Sequence, residues 1–257
     1  MKLYVMDLGM LVMRGSSPAA EEGSEVPVLP IHSFLLDTPI GKIVFDTGCV
    51  PGCMDGAWPQ ELHSNPYVPS PGGSLSDRLA QIGVTPEDVS YVVASHLHLD
   101  HAGWLHLFPN ATVLVEKNEL EQVMQHSEAG TLGMFHLPCD IANWNRANIR
   151  FQTVEQDFEL CDGVTILDFG AGHSYGMLGM LVHLECGNFL LAADAVYGAV
   201  YYGPPAQLSG IVEDEAGYFR TIERLRDLEK MYHAKILFGH DSAQFATLLK
   251  SDAGYYK

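Results

Sequence analysis

Basic residues are scarce in this chain: 14 Lys and Arg stand against 32 Asp and Glu among 257 residues, for a net charge of −18. Phosphate backbones need a basic face, so the balance argues against a nucleic-acid groove. It suits a neutral substrate and would help to expel an anionic product. Cysteine is sparse as well. The five residues Cys49, Cys53, Cys139, Cys161 and Cys186 are odd in number, and no second pair matches Cys49/Cys53 to complete a zinc ribbon. They read as reduced or packed thiols of a cytoplasmic protein. No apolar run approaches the ~20 residues of a membrane span, and Asp7 falls where the apolar stretch of a signal peptide would lie. The expectation is a cytoplasmic enzyme with neither a nucleic-acid nor a membrane partner.

A hydrophobic share of 47% with 18% charged residues describes a folded chain. Its length allows one sizeable core, so residues 1–257 are expected to form a single domain. Strand signals fall at Leu3–Leu8, Ile31–Leu36, Lys42–Asp46, Tyr91–Ser95, Thr112–Val115, Ile149–Val154, Val164–Asp168, Met180–Leu184, Phe189–Ala192 and Ile236–Phe238. The turn Pro39-Ile40-Gly41 makes the early strands antiparallel. Helices are expected at Ser74–Gln81, Lys117–Gln125 and Tyr218–Met231, the last with Phe219, Ile222, Leu225, Leu228 and Met231 on its packed face. Strands in both halves with helices between them point to two sheets with helices outside, an α/β sandwich. Two long connections, 50–73 and 197–217, carry Trp58, Tyr67, Tyr201 and Tyr202 and are expected to wall a pocket.

The segment His96-Leu97-His98-Leu99-Asp100-His101 puts four metal-capable side chains into six residues, directly after the apolar run Tyr91–Ala94. On an extended segment His96 and His98 project the same way and can hold one ion. Asp100 and His101, past the bend, can face a second. A polar loop rich in histidine would have the same composition, so further donors decide the matter. Three stand immediately beyond apolar strands: His173 in Gly170-Ala171-Gly172-His173-Ser174, Asp194 after Phe189–Ala193, and His240 after Ile236-Leu237-Phe238-Gly239. One such histidine would ordinarily be structural. Three such residues together with the hexapeptide point to a dinuclear centre.

With these residues in order, the chain resembles the metallo-β-lactamase superfamily. The resemblance implies an αββα sandwich of two mixed sheets with outer helices. It places His96, His98 and His173 on one metal and Asp100, His101 and His240 on the other, with Asp194 bridging. Phe45-Asp46-Thr47-Gly48 is similar to the superfamily's early aspartate-glycine turn. Asp46 there either orients a ligand histidine or caps the turn. Within the superfamily the chain is most similar to the N-acyl-homoserine lactone lactonases, the quorum-quenching enzymes. The carrying motifs are Ser95 to Gly103, Asp194-Ala195-Val196-Tyr197 and Phe238-Gly239-His240-Asp241.

The resemblance implies a small-molecule lactone as substrate and two divalent ions as cofactors. Zinc suits the donor set, though iron, cobalt or manganese could occupy it. It also implies catalytic roles for two residues. Tyr197 would polarise the lactone carbonyl, and Asp100 would carry a proton to the leaving oxygen. Where family members often read Thr-Pro-Gly-His-Ser-Pro-Gly-His, this chain has Tyr175 for the proline and Met177 for the second histidine. That departure is expected to alter the pocket lining. Met10, Met13, Trp104, Phe108, Tyr201 and Tyr202 are further candidate pocket walls. His106 and Asp241 flank the motifs without a role of their own.

Other ester-like bonds remain open to the same centre: γ-butyrolactone, a pyridoxine-derived lactone or a glutathione thioester. The thioester is disfavoured because Lys235, Lys250 and Lys257 are scattered rather than gathered into a basic patch. A non-catalytic metal-binding protein is disfavoured by the retention of both Asp100 and Asp194. The assembly is expected to be a monomer or a homodimer.

Overall fold

Successive residues along the early strands enter two different cores. The computed structural model describes residues 1–14 and 26–257. In β1 (Lys2–Val12), Leu3 and Val5 face one hydrophobic layer while Met6 and Leu8 face another. The same division runs through β2 (Val28–Thr38) and β3 (Gly41–Phe45). Phe34, Leu36, Ile43 and Phe45 point one way, and Leu35 and Val44 the other. A period of two with both sets apolar is the signature of a sheet covered on both faces.

Among the described residues that sheet has seven strands. To the first three it adds β4 (Tyr67–Pro69), β5 (Val89–Val93), β6 (Thr112–Glu116) and β7 (Arg150–Val154), in the order β4-β1-β2-β3-β5-β6-β7. Its β4-β1-β2-β3 side is antiparallel, and β3, β5, β6 and β7 run parallel. The second sheet has five strands: β8 (Phe158–Cys161), β9 (Val164–Gly170), β10 (Met177–Leu184), β11 (Gly187–Ala193) and β12 (Ala234–Phe238). They lie in the order β12-β11-β10-β9-β8, with only β11 and β12 parallel. Both sheets are therefore mixed, as expected.

Helices α1 (Leu75–Gln81), α2 (Lys117–Ala129) and α3 (Pro138–Ala147) supply Leu75, Leu79, Val123, Ile141 and Trp144 to the outer layer of the first sheet. The second sheet is flanked by α5 (Glu215–Tyr232), which follows the short α4 (Ala199–Tyr202). A last short helix, α6 (Ser242–Thr247), packs against β2. The αββα order of layers results.

Several expected boundaries shift. β1 runs on past Leu8 because a bulge between Asp7 and Gly9 absorbs an irregularity that breaks the alternation. β4, β8, α3, α4 and α6 carry weak signals and lie outside the expected elements. Tyr67 is no pocket wall: it sits in β4, and its hydroxyl donates to the Leu8 carbonyl at 2.5 Å. The packed stripe of α5 is Tyr218, Thr221, Ile222 and Leu225, while Phe219 and Met231 are exposed. α5 lies against β12, β11 and β9, and of its expected face Ile222, Leu225 and Leu228 pack on that layer. Cys49 and Cys53 are buried in the outer layer, where burial pushes their thiols up, that of Cys53 to about 11.

Candidate metal centre

Parallel pairing aligns strand ends, and the functional loops leave from those ends. β3 and β5 are parallel neighbours, so Asp46 and the 96–101 segment emerge side by side. β11 and β12 are parallel neighbours in the other sheet, so Asp194 and His240 do the same. His173 comes from the loop between β9 and β10. A backbone bond from Leu178 N to Ser95 O at 2.7 Å ties the two sheets together at this edge.

Seven side chains converge there. Three groups of donor atoms each lie close enough to share an ion: His96, His98 and His173; His96, His101 and Asp194; and Asp100, His101 and His240. The spacings between facing atoms are short. His173 Nε2 is 3.1 Å from His98 Nδ1 and 3.4 Å from Asp194 Oδ2. On the other side Asp194 Oδ1 is 3.0 Å from His240 Nε2 and 3.4 Å from His101 Nε2. Asp100 Oδ2 is 3.6 Å from His240 Nε2 and 3.7 Å from His101 Nε2. Donors at the corners of a tetrahedron with bonds of 2.0–2.2 Å stand about 3.3–3.6 Å apart, so the cluster has the dimensions of metal coordination. Asp194 belongs to the group with His96 and His101 and also faces His173 and His240.

The outer nitrogens explain why the inner ones point where they do. His101 Nδ1 donates to Asp46 Oδ2 at 2.9 Å, His173 Nδ1 to the Ile211 carbonyl at 2.9 Å, and His240 Nδ1 to the Pro30 carbonyl at 3.0 Å. Ser95 Oγ donates to Asp46 Oδ2 at 2.8 Å and is left to accept from His96 Nδ1 at 3.0 Å. Four imidazoles are thereby fixed with Nε2 inward, the preparation that metal-ligating histidines require. His96 Nε2 and His101 Nε2 are buried without a hydrogen-bond partner. Such orphaned lone pairs are costly in a protein interior unless a cation takes them up. The residues present therefore fit two divalent ions.

Asp46 itself has φ 58°, unusual for a residue with a side chain. Its N–H donates to Val93 O and its carbonyl accepts from Ser33 Oγ at 2.7 Å, which together hold the turn. Ala193, before Asp194, has φ 44°. Strain of about 1–3 kcal/mol at each such residue is kept where the geometry it gives is used. Gly239 answers a close approach: a Cβ there would stand 2.3 Å from Asp194 Oδ1.

Burial holds His96, His98 and His173 below the ordinary imidazole range, and neighbouring imidazoles add to the effect at His96 and His98. Burial acts in the same sense on His101 and His240, but Asp194, with Asp100 beside it, outweighs it and raises both. Burial of Asp194 is likewise outweighed by His240 and His101, which hold its carboxyl well below the usual range. Protons compete with metal for these atoms, so metal content is expected to fall on dialysis from about pH 8 to about pH 5. Metal content unchanged at about pH 5 would contradict that competition.

An apolar cavity of about 80 Å³ opens onto the cluster. His98, Asp100, Asp194, Tyr197 and His240 line it beside the cluster, and Asn65 with the apolar Leu11, Met13, Leu29, Trp58, Leu62, Leu99, Phe135 and Ile211 lines the rest. Of the walls expected from sequence, Trp58 and Met13 are there. The others are elsewhere. Met10 is exposed and borders a separate groove with Val28, Pro30 and Phe245, Phe108 is buried in the outer layer, and Trp104 stacks on His106. Tyr201 and Tyr202 lie in α4, where the Tyr202 hydroxyl donates to Glu229 at 2.8 Å. Met177 packs between the sheets and Tyr175 stacks on His136, so neither lines the cavity. Asp241 caps α6, accepting from Gln244 N at 2.8 Å. Tyr197 is 9% exposed, with its ring 5.0 Å from that of His240 and 5.3 Å from that of His173.

Histidine and aspartate donors gathered at the open edge of an αββα sandwich are the makings of a dinuclear metallohydrolase. The chain belongs to the Metallo-beta-lactamase superfamily, whose family model matches residues 26–240. It is similar to the N-acyl homoserine lactonase AiiB of Agrobacterium fabrum, 37% identical over 273 residues that cover 100% of this chain and 99% of the relative. Among solved structures it is similar to a mutant of AiiA from B. thuringiensis with N-decanoyl-L-homoserine bound at the active site. There the TM-score is 0.79 at 25% identity, covering 97% of this chain and 96% of the other. An N-acyl homoserine lactone hydrolase with N-hexanoyl-L-homoserine bound at its catalytic metal centre gives the same TM-score of 0.79, identity of 25% and coverage of 97% and 96%.

Proposed function

We propose that this chain opens the lactone ring of N-acyl-homoserine lactones by metal-dependent hydrolysis, and so quenches quorum signalling. The observation that carries the reading is Tyr197, set beside the seven-residue cluster on the wall of an apolar cavity. The relatives named as N-acyl homoserine lactonases support it. His96, His98 and His173 would hold one ion and Asp100, His101 and His240 the other, with Asp194 between them. Two divalent ions there supply Lewis acidity, which lowers the pKa of water towards neutrality and polarises a carbonyl. Imidazole and carboxylate donors suit zinc. Since the cluster draws residues from both sheets, the whole chain acts as one hydrolase domain, working in the cytoplasm.

The side chains do the rest. Burial pushes the Tyr197 phenol well above its ordinary value, and Asp194 and Asp100 add to the shift. It therefore stays protonated and donates to the carbonyl oxygen as negative charge grows on it. Asp100 reaches the cavity while it faces His101 and His240. It is placed to take the proton that the attacking water loses and give it to the ring oxygen. The water oxygen bonds to the carbonyl carbon and the ester C–O bond breaks; one water proton passes through Asp100 to the ring oxygen and the other leaves to solvent, giving a hydroxyl and a carboxylate. Leu11, Met13, Leu29 and Phe135 receive the acyl tail.

A glutathione thioester finds no basic cluster at the C-terminal end. Lys250 donates to the carbonyls of Phe245 and Leu248, and Lys257 faces Glu185 at 3.8 Å. A lactone panel tests the proposal by acid release. Each buried methylene contributes about 0.8 kcal/mol, so a four-carbon tail is expected to raise turnover efficiency by more than tenfold over unsubstituted γ-butyrolactone. Opening of unsubstituted lactones alone would replace this reading with the γ-butyrolactone alternative.

A further inference from the structure

Glu119 is a fully buried carboxylate that the proposed reaction does not use. It stands in the first turn of α2, and four groups donate to it. Leu97 N at 2.8 Å and His136 Nε2 at 3.2 Å reach Oε1. Ser174 Oγ at 2.7 Å and Gly176 N at 3.1 Å reach Oε2. Leu97 lies between His96 and His98, and Ser174 follows His173. One carboxylate therefore joins two loops from opposite sheets, and those loops carry all three imidazoles of one donor group. His136 adds another arm, its ring 4.7 Å from that of His98.

The surroundings are built to keep Glu119 in place. Glu116 Oε2 accepts from Glu119 N at 2.7 Å, which fixes the start of α2. A Cβ on Gly176 would stand 1.6 Å from that same Glu116 oxygen, so the loop carries no side chain where its N–H must reach Glu119. Buried carboxylates are seldom retained for stability, since apolar groups of the same volume serve at least as well. Asp46 differs in reach: its carboxylate meets Ser95 and His101, and none of its hydrogen bonds goes to the 173–176 loop.

We propose that Glu119 is a positioning residue for one ion of the pair, fixing the distance between the 96–98 segment and the His173 loop. The proposal rests on the two-ion reading above. Glu119→Gln keeps the shape but turns an amide nitrogen towards donors, so at least one loop is released. Outer partners of metal ligands are worth about 10–100-fold in metal affinity. Titrating the metal-free protein with Co2+, followed by its visible spectrum, is expected to show one ion bound as in the wild type. The other should bind about 10–100-fold more weakly. Asp46→Asn is the contrast: Asp46 orients His101 directly and His96 through Ser95, so that variant should weaken both ions. Equal weakening of both ions in Glu119→Gln, or of neither, overturns the proposal. Should that variant fail to fold, Ser174→Ala removes one of the four donors; it is expected to weaken the same ion by a smaller factor, and unchanged affinities would overturn the proposal. A wild-type protein holding fewer than two ions contradicts the two-ion reading and the clamp with it. Two ions of unchanged affinity in the variant contradict the role of Glu119 alone.

Discussion

Asp194→Asn is expected to lose metal and hydrolysis together. Asp194 is 2% exposed, with Oδ2 3.4 Å from His173 Nε2 and 3.1 Å from His240 Nε2, and Oδ1 3.4 Å from His101 Nε2 and 3.0 Å from His240 Nε2. Asparagine keeps the shape and discards the charge. Its amide nitrogen would point N–H groups at imidazole nitrogens or at a cation. Outer partners of metal ligands already account for about 10–100-fold, so a shared inner ligand should exceed about 100-fold in turnover. Metal content should drop from about two ions per chain to below one. Metal analysis and acid release on one preparation check both halves. A variant that keeps two ions and near-normal turnover would remove Asp194 from between the ions.

Tyr197→Phe is expected to separate what Asp194→Asn confounds. The phenol lines the cavity and belongs to none of the donor groups, so metal content should stay at the wild-type level. Deleting one donor to a developing oxyanion costs about 10²–10³ in kcat, or about 2.7–4 kcal/mol. The loss should appear in kcat with KM little changed, because the bond strengthens as charge develops. The raised pKa of the phenol carries a second consequence: Tyr197 stays protonated across the working range, so the basic limb of the pH profile should persist in the variant. A silent substitution would mean that Tyr197 only walls the cavity.

What could be read from the sequence were the residues whose chemistry is concentrated along the chain. Four donors in 96–101 advertise themselves, and His173, Asp194 and His240 stand where apolar strands stop. The division of β1 between two layers, Leu3 and Val5 against Met6 and Leu8, shows only in the structure, because both faces are apolar and no polar alternation marks them. Residues that act through space were silent. Nothing in the spacing ties Glu119 to Leu97, 22 positions away, or to Ser174, 55 positions away. The carbonyls of Pro30 and Ile211, which orient His240 and His173, belong to the backbone and have no side-chain signature. The cavity lining was legible in part only. Met13 and Trp58 face it, but Leu11, Leu29, Leu62, Phe135 and Ile211 are ordinary apolar residues, distinguishable from core only once the loops are placed. Met177, which broke the familiar motif, turned inward to the core instead.

The account stands on two ions acting in one hydrolytic centre, and reconstitution tests that most directly. Metal is stripped with a chelator, folding is verified by circular dichroism, and Zn2+ is returned in steps while acid release from N-hexanoyl-homoserine lactone is followed. Activity should be absent at the start, climb with added metal, and level off at about two equivalents per chain. Full activity in the stripped protein, or a plateau at a single equivalent, would contradict the account.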